Sequence, residues 1–220
     1  CAQINCSNKQ MKKITLLSAV AALVLASCAG NPEGKKAETK DSVAITQSEV
    51  VGNAYTVDTT ASKVVWTGTK VTGKHTGTVA IKSGTVNVDN GKLTGANVVL
   101  DMTTIGSTDL EGEFKGKLDG HLKSEDFFAV EKFPEATFTV TEVKPGATDA
   151  DLNISGNLVI KGVSKNITFE AKVVEATEAA VKATANFNIT RADWGVTYEG
   201  KSDDLISKEI NFDITLVANK

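Results

Sequence analysis

His121, Ser124 and Asp126 are residues whose types could carry out hydrolytic chemistry, because a base, a hydroxyl nucleophile and a carboxylate make a catalytic triad. A triad needs the base within hydrogen-bond reach of the nucleophile and the carboxylate behind the base. Three residues in one short turn rarely meet that geometry, and the chain has no G-x-S-x-G motif. The sequence therefore predicts no enzyme. We interpret His121 as a hydrogen-bonding residue at a helix end, with Ser124 and Asp126 as caps.

Metal binding is also poorly supported by the sequence. His75 and His121 are the two imidazoles of the chain, and neither belongs to a His-x-x-x-His pattern. Asp109, Glu111 and Glu113 form an acidic run at a predicted helix start, where the helix dipole favours negative charge. We expect no metal site.

The same turn concentrates aromatic residues in a chain that has only 5% of them. Residues 121–128 and 133–138 contain four of the eight Phe residues. Either a hydrophobic plug closes one end of a β-structure, or the residues form the entrance of a pocket for an apolar ligand. For Trp66 and Trp194 a place in the core is an equal alternative. The candidate ligand-binding residues are Trp66, Phe114, His121, Phe127, Phe128, Phe133, Phe138, Phe169, Phe187 and Trp194.

The N-terminal region reads as an export signal. Residues 1–10 precede Met11, and we interpret them as an upstream, non-native segment. Residues 11–27 are the predicted signal peptide. They combine Lys12 and Lys13 with an apolar run that is too short for a permanent membrane span. That run ends in Leu-Ala-Ser-Cys28, which resembles the lipobox of bacterial lipoproteins. The resemblance implies cleavage before Cys28, acylation of its thiol, and an exported lipoprotein anchored in the membrane and facing the periplasm or the cell surface. An ordinary cleavage site with a chance Cys is the alternative.

Two regions follow the predicted signal. Residues 28–53 are rich in Gly and Lys, with little to bury, so we expect a flexible tether. Residues 54–220 form the predicted folded domain, with 18 Lys and Arg against 23 Asp and Glu, a net charge of 18 − 23 = −5. A domain with this balance and no basic stripe lacks the electrostatic footprint of a nucleic-acid binder.

Period-two alternation of apolar residues predicts an all-β domain. It recurs in four stretches late in the chain, and turn signals such as Asp89-Asn90-Gly91 separate the strands. About eight antiparallel strands fit closure into a barrel, because closure removes the sheet edges. One segment, residues 109–123, has helical spacing and predicts a short helix across a barrel opening, and Ser124 would cap a second short turn through Phe128. The fold class is all-β with one or two short helices: an eight-stranded antiparallel lipocalin-like β-barrel.

Small residues on the inward faces bear on function. An eight-stranded barrel has an interior that side chains can just fill or that can hold one ligand. Small inward residues favour a cavity, whereas alternating small and large residues are also compatible with a solid core. The residues concerned are Gly77, Gly95, Gly156, Ala171, Ala183 and Ala185.

Several motifs follow one another in a specific order and spacing. They are Val65-Trp66-x-Gly68-x-Lys70, His75-Thr76-Gly77, Leu100-Asp101-Met102, His121-Leu122-Lys123-Ser124-x-Asp126-Phe127-Phe128, Phe133-Pro134-x-Ala136-x-Phe138 and Gly156-Asn157-Leu158-x-Ile160-x-Gly162-Val163-x-Lys165. Through them the chain resembles, from about Tyr55 to Ala218, the YceI-like family of bacterial polyisoprenoid-binding proteins. That resemblance implies an elongated lipocalin-like barrel whose lumen holds a long isoprenoid or similar apolar chain, and no cofactor other than a bound isoprenoid lipid or quinone.

The sequence-based hypothesis is a non-enzymatic module for binding, storage or transport of an isoprenoid or other long-chain lipid in the bacterial cell envelope. The expected partners of the protein are that lipid and the membrane, which it reaches through acylated Cys28. Formation of a homodimer is compatible with the sequence. His121 and Lys123 are the candidates for contact with a lipid headgroup. The alternative is a structural or stress-related envelope lipoprotein with a solid barrel core and no ligand.

Overall fold

The computed structural model describes residues 30–45 and 52–220. The upstream segment 1–10, the predicted signal peptide 11–27 and the predicted anchor Cys28 lie outside the described residues. Within the described part of the chain, no helix is long and apolar enough to cross a membrane.

Twelve strands, one α-helix and one 3₁₀-helix make up the described fold. The 3₁₀-helix, Arg191–Trp194, follows directly on one of the long strands. In chain order the other elements are β1 (Lys35–Lys36), β2 (Glu38–Asp41), β3 (Asn53–Val57), β4 (Lys63–Lys70), β5 (Gly73–Asp89), β6 (Lys92–Ser107), α1 (Gly112–Lys123), β7 (Glu135–Pro145), β8 (Asp151–Ile160), β9 (Val163–Ala176), β10 (Ala180–Thr190), β11 (Gly200–Lys201) and β12 (Asp204–Asn219).

Eight long antiparallel strands close into a barrel, as the alternation predicts. β4 pairs with β5, the chain continues pairwise from β5 to β10, β10 pairs with β12, and β12 returns to β4. β5 is one long strand that runs through Ser83. Register shifts between Ile81 and Ser83 keep the pairing with β6 continuous, because a β-bulge absorbs an extra residue without ending a strand.

Helix α1 lies at the end of the barrel where β6 finishes, which we call the α1 end. Asp119 holds it there by accepting hydrogen bonds from the Ser107 backbone N–H at 2.7 Å and the Ser107 hydroxyl at 3.0 Å. Leu122 is the buried residue of the helix. The predicted short turn through Phe128 forms as a hydrogen-bonded turn, in which the Phe127 N–H donates to the Ser124 carbonyl oxygen at 3.1 Å. Ser124 Oγ donates to the His121 carbonyl oxygen at 2.8 Å, at the C-terminus of α1.

Part of the predicted flexible tether is built into the barrel wall. β9 and β10 pair with each other only between Ala171–Ala176 and Val181–Ala185. Towards the α1 end, β1 pairs in parallel with β10 and β2 pairs antiparallel with β9, so residues 35–41 fill the space between these two strands. Ala37, between β1 and β2, is buried and belongs to the core. We call residues 30–45 the N-terminal strap.

Asparagine side chains on the outer wall hold the strap. Asn188 Nδ2 donates to the Pro32 carbonyl oxygen at 2.9 Å, and Asn157 exchanges two hydrogen bonds with the backbone of Val43. The strap is bound by backbone pairing and by hydrogen bonds from amide side chains. Neither interaction requires apolar residues in the strap, so its composition did not predict them. The tether prediction is therefore wrong for this segment.

Candidate functional site

A cavity of about 220 Å³ runs inside the barrel. Leu122 and Phe127 line it at the α1 end, and Val173 and Leu216 line it at the opposite end, which we call the far end. Almost all lining side chains are apolar, because they occupy the inward positions of strands that alternate. Apolar cavities of roughly 150 Å³ stay dry and take up small hydrocarbons. The lumen is therefore a suitable environment for a hydrocarbon chain.

Four Phe residues form a continuous ladder across the inner wall. The ring of Phe169 stacks on that of Phe187 with centroids 4.2 Å apart, although the backbones of these residues are not paired with each other. Phe138 lies 5.6 Å from Phe169 on one side, and Phe212 lies 5.9 Å from Phe187 on the other. Part of the lumen is thus filled by aromatic side chains, and all four rings line the space that remains.

The small residues have two different roles. Ala171, Ala183 and Ala185 line the cavity, as the sequence predicts for residues that leave space. Gly156 instead makes room for an aromatic ring, since a Cβ there would lie 2.4 Å from Cζ of Phe138. Gly77 similarly lies against the indole of Trp66.

Of the ten predicted ligand-binding residues, six line the cavity and four do not. Phe114 is 73% exposed in the first turn of α1, whereas Leu118 and Leu122, further along the same face, pack against the core. Phe133 lies against Gly162, where a Cβ would be 2.6 Å from its ring. Trp194 is buried but donates its N–H to the Leu158 carbonyl oxygen at 3.0 Å, which is the role of a core residue. His121, the fourth, belongs to a separate cluster. The six that line the lumen are Trp66, Phe127, Phe128, Phe138, Phe169 and Phe187.

His121 lies in an aromatic cluster that closes the α1 end. Its ring packs edge-on against Phe127 at 4.9 Å and against Tyr198 at 4.8 Å, and its Nε2 is 3.1 Å from Asp126 Oδ2. Ser124 Oγ bonds to the His121 backbone rather than its ring, so the three residues do not form a triad. Tyr198 was missed by sequence reasoning, because nothing local links it to a turn more than seventy residues earlier. Lys123, the other predicted headgroup residue, is not among the residues lining the cavity.

Arg191 is a functional candidate that the sequence analysis also missed. It lines the lumen and is 4% exposed. Its guanidinium donates to the carbonyl oxygens of Ser207 at 2.7 Å, Val196 at 2.8 Å and Ile206 at 3.4 Å. Burial lowers the pKa of Arg191, while the negative charge of Glu199 acts in the opposite direction. The result is a buried positive charge at the α1 end of an apolar lumen.

Within residues 30–45 and 52–220, no group of three or more His, Cys, Asp and Glu side chains is placed to hold a metal ion. The fold and the lumen define a closed antiparallel β-barrel with an internal apolar cavity, a class in which the interior is either filled by side chains or holds one small ligand.

The chain belongs to the YceI-like domain family, whose profile matches residues 55–218. This confirms the family resemblance seen in the sequence. Protein YceI of Escherichia coli is 40% identical over 78 residues, 36% of this chain and 37% of that protein. Protein YceI of Salmonella arizonae is 50% identical over 56 residues, 26% of this chain and 28% of that protein. The chain thus aligns with less than half the length of these relatives.

Solved structures share the fold. BcnA of Burkholderia cenocepacia superposes with a TM-score of 0.59 at 22% identity, covering 74% of this chain and 99% of that one. A polyisoprenoid-binding domain from Saccharophagus degradans superposes with a TM-score of 0.57 at 18% identity, covering 75% of this chain and 97% of that one. The eight-stranded antiparallel barrel is confirmed.

Proposed function

We propose that this protein binds a long apolar lipid, with an isoprenoid as the leading candidate, in the barrel lumen and stores or carries it in the bacterial cell envelope without catalysis. The observation that carries the proposal is the elongated apolar cavity of about 220 Å³. Each buried methylene contributes about 0.8 kcal/mol, so a chain that enters the lumen gains affinity with every carbon it buries. The polyisoprenoid-binding domain from Saccharophagus degradans shares the fold and supports an isoprenoid ligand.

The alternative, a structural envelope protein with a solid barrel core, requires that side chains fill the lumen. The Phe ladder fills part of it, but an apolar space of about 220 Å³ remains, and the three inward alanines are among the residues that line it. That space favours the lipid-binding proposal. Membrane anchoring through acylated Cys28 is part of the same proposal and rests on the lipobox-like sequence.

The test is to identify what the protein carries. Protein purified from its native host is extracted with organic solvent, and the extract is analysed by mass spectrometry. We expect an apolar chain in near-stoichiometric amount. The stripped protein is then offered a radiolabelled polyprenol. Protein that carries no lipid and takes up none would overturn the proposal.

A further inference from the structure

The N-terminal strap closes a split in the barrel wall. β9 and β10 separate towards the α1 end, and residues 35–41 fill the space between them. Residues on both edges of this split line the lumen: Ile167 and Phe169 on β9, and Phe187 on β10. Since neighbouring strands lie about 4.8 Å apart, removal of the strap would leave roughly 10 Å between the two edges. The strap is therefore the layer of backbone between this side of the lumen and the solvent.

Buried side chains cover both ends of the lumen. At the α1 end, Leu122, Phe127 and Phe128 are all buried and line the cavity. At the far end, Tyr55 is 4% exposed, and its hydroxyl ties β3 to the turn between β9 and β10 by donating to the Glu178 carbonyl oxygen at 3.2 Å. A lipid that enters or leaves the lumen therefore needs a part of the barrel to move.

The strap is held mainly by polar contacts. Within the strap, Ala37 is the one residue that belongs to the hydrophobic core. Lys35 forms an ion pair with Glu170, and Asp41 forms one with Lys165. At least one partner of each pair is well exposed, and such pairs contribute little to stability. Segments with few buried apolar contacts open locally at a smaller free-energy cost than global unfolding. We therefore expect the strap to detach while the barrel stays folded.

Thr39 weakens the closed position of the strap. It pairs with Ile167, which lines the lumen, and directly opposite residues of an antiparallel pair point to the same face. Thr39 thus faces inwards, where its Oγ1 is buried and has no hydrogen-bond partner among the described residues. A buried hydroxyl without a partner is destabilising. That cost disappears when the strap detaches and the hydroxyl reaches water.

We propose that the strap is a lateral gate: it detaches from the split between β9 and β10, a lipid passes through the side of the barrel, and the strap returns to close the wall. This inference rests on the proposed lipid-binding function and adds the route by which the ligand is exchanged. The strap precedes residues 55–218, the part that matches the family, so family membership does not assign it this role. A gate of this kind controls the rates of uptake and release equally and leaves the affinity unchanged.

The first test opens the gate with Gly34→Ala. Gly34 has a φ of 139°, and a Cβ there would lie 2.3 Å from both Asn188 Oδ1 and Asn211 Nδ2, so the strap must lift or the buried amides must move. The full chain is stripped of lipid, and transfer of a radiolabelled polyprenol between protein and vesicles of phosphatidylethanolamine and phosphatidylglycerol is followed. We expect uptake and release both to be about tenfold faster than in wild type. Gly30→Ala is the matched control on the same strap, because no described atom lies within 4 Å of its new methyl group.

The second test closes the gate more tightly with Thr39→Val. Valine has the shape of threonine and lacks the hydroxyl, so the closed strap no longer contains the unpaired polar group. We expect uptake and release of the polyprenol both to be about fivefold slower, with the affinity unchanged. Thr85→Val, at an exposed position of β5, is the control and should leave both rates as they are in wild type.

Hydrogen exchange followed by mass spectrometry shows whether the strap opens on its own. In wild-type protein, peptides that cover residues 35–41 should exchange faster than peptides of β9 and β10. Gly34→Ala should raise the exchange rate of the strap peptides, and Thr39→Val should lower it, while the barrel strands exchange as in wild type.

Each outcome decides one point. Strap peptides that exchange no faster than the barrel strands overturn the gate, because the strap then opens only on global unfolding. Lipid transfer at the wild-type rate in Gly34→Ala also overturns the gate, and lipid binding stands. A change in release alone, with a matching change in affinity, shows that the strap only shapes the cavity and overturns the gate as well. Wild-type protein that takes up no polyprenol overturns the proposed function itself.

Discussion

The side-chain amide of Asn188 donates a hydrogen bond of 2.9 Å to the carbonyl oxygen of Pro32, and through it the strap is fixed to the outer wall of β10. Asn188 is 1% exposed, because the strap covers it, and it also donates to Glu209 and accepts from Asn211. The Asn188 amide thus binds the backbone of the strap and also links β10 to the neighbouring strand β12.

Asn188→Ala should release the strap. The change removes the donor to the Pro32 carbonyl oxygen, while the Asn211 amide keeps its bonds to Asn186 and Phe187. We expect a loss of about 1–3 kcal/mol in the free energy of unfolding. Hydrogen exchange followed by mass spectrometry should show faster exchange in strap peptides. Asn153→Ala is the control, because its amide bonds only to Pro145 near the far end. Equal strap protection in both variants would contradict this role.

Gly156→Ala should disturb the Phe ladder. The new methyl group would lie 2.4 Å from Cζ of Phe138, so the ring must move into the lumen or the strand must shift. Such overpacking costs about 1–3 kcal/mol, measured by urea unfolding. Gly68→Ala is the control: this residue also lines the cavity, but no atom lies within 4 Å of the position that its new methyl group would take. We expect it to change stability by no more than about 0.5 kcal/mol.

Ala183→Leu and Ala171→Leu distinguish a cavity from a solid core. Both alanines line the lumen, so larger side chains should occupy ligand space and reduce polyprenol uptake with little change in stability. A solid core would instead make each change destabilising by about 1–3 kcal/mol. Uptake and unfolding are measured on the same variants, with Lys182→Leu beside Ala183 as a control for added surface hydrophobicity. Unchanged uptake together with a large loss of stability would favour the solid core.

Asp119 should make the attachment of α1 sensitive to acid. Burial alone would raise the pKa of Asp119, but hydrogen bonds from Lys115 and from Ser107 outweigh it and lower the pKa below its usual value. The carboxylate therefore stabilises the fold above the unfolded-state pKa of about 4, and that contribution is lost as the pH falls through the lower folded value.

Asp119→Asn should reduce stability at neutral pH by about 1.5–3 kcal/mol, the range for hydrogen bonds to charged groups. The difference from wild type should shrink as the pH falls below about 4. The measurement is urea unfolding at a series of pH values. Asp203→Asn, at an exposed position, is the control. A difference that stays constant down to pH of about 2 would show that the charge of Asp119 is not involved.

Local periodicity was enough to predict the long strands of the barrel, because inward and outward positions alternate along each strand whatever its neighbours are. Six of the ten candidate binding residues reach the lumen, five of them Phe, because they occupy inward positions of the wall or the turn that closes it. Phe114 fits the same apolar pattern on α1 and yet is exposed. Periodicity identifies the apolar face of the helix, which Leu118 and Leu122 turn towards the core, but it does not show how much of that face the barrel covers.

The sequence by itself determined the family, the all-β class and an inner wall of apolar residues, since these depend on residue type and local spacing. Only the tertiary structure decided that residues 35–41 complete the wall, that Gly156 holds a ring rather than empty space, and that the Thr39 hydroxyl has no partner in the described part of the chain. The physical reason is that each of these depends on a contact between segments distant in the chain. Backbone hydrogen bonds and close packing form between the surfaces that the fold brings together. Local sequence patterns therefore do not predict which segments make these contacts.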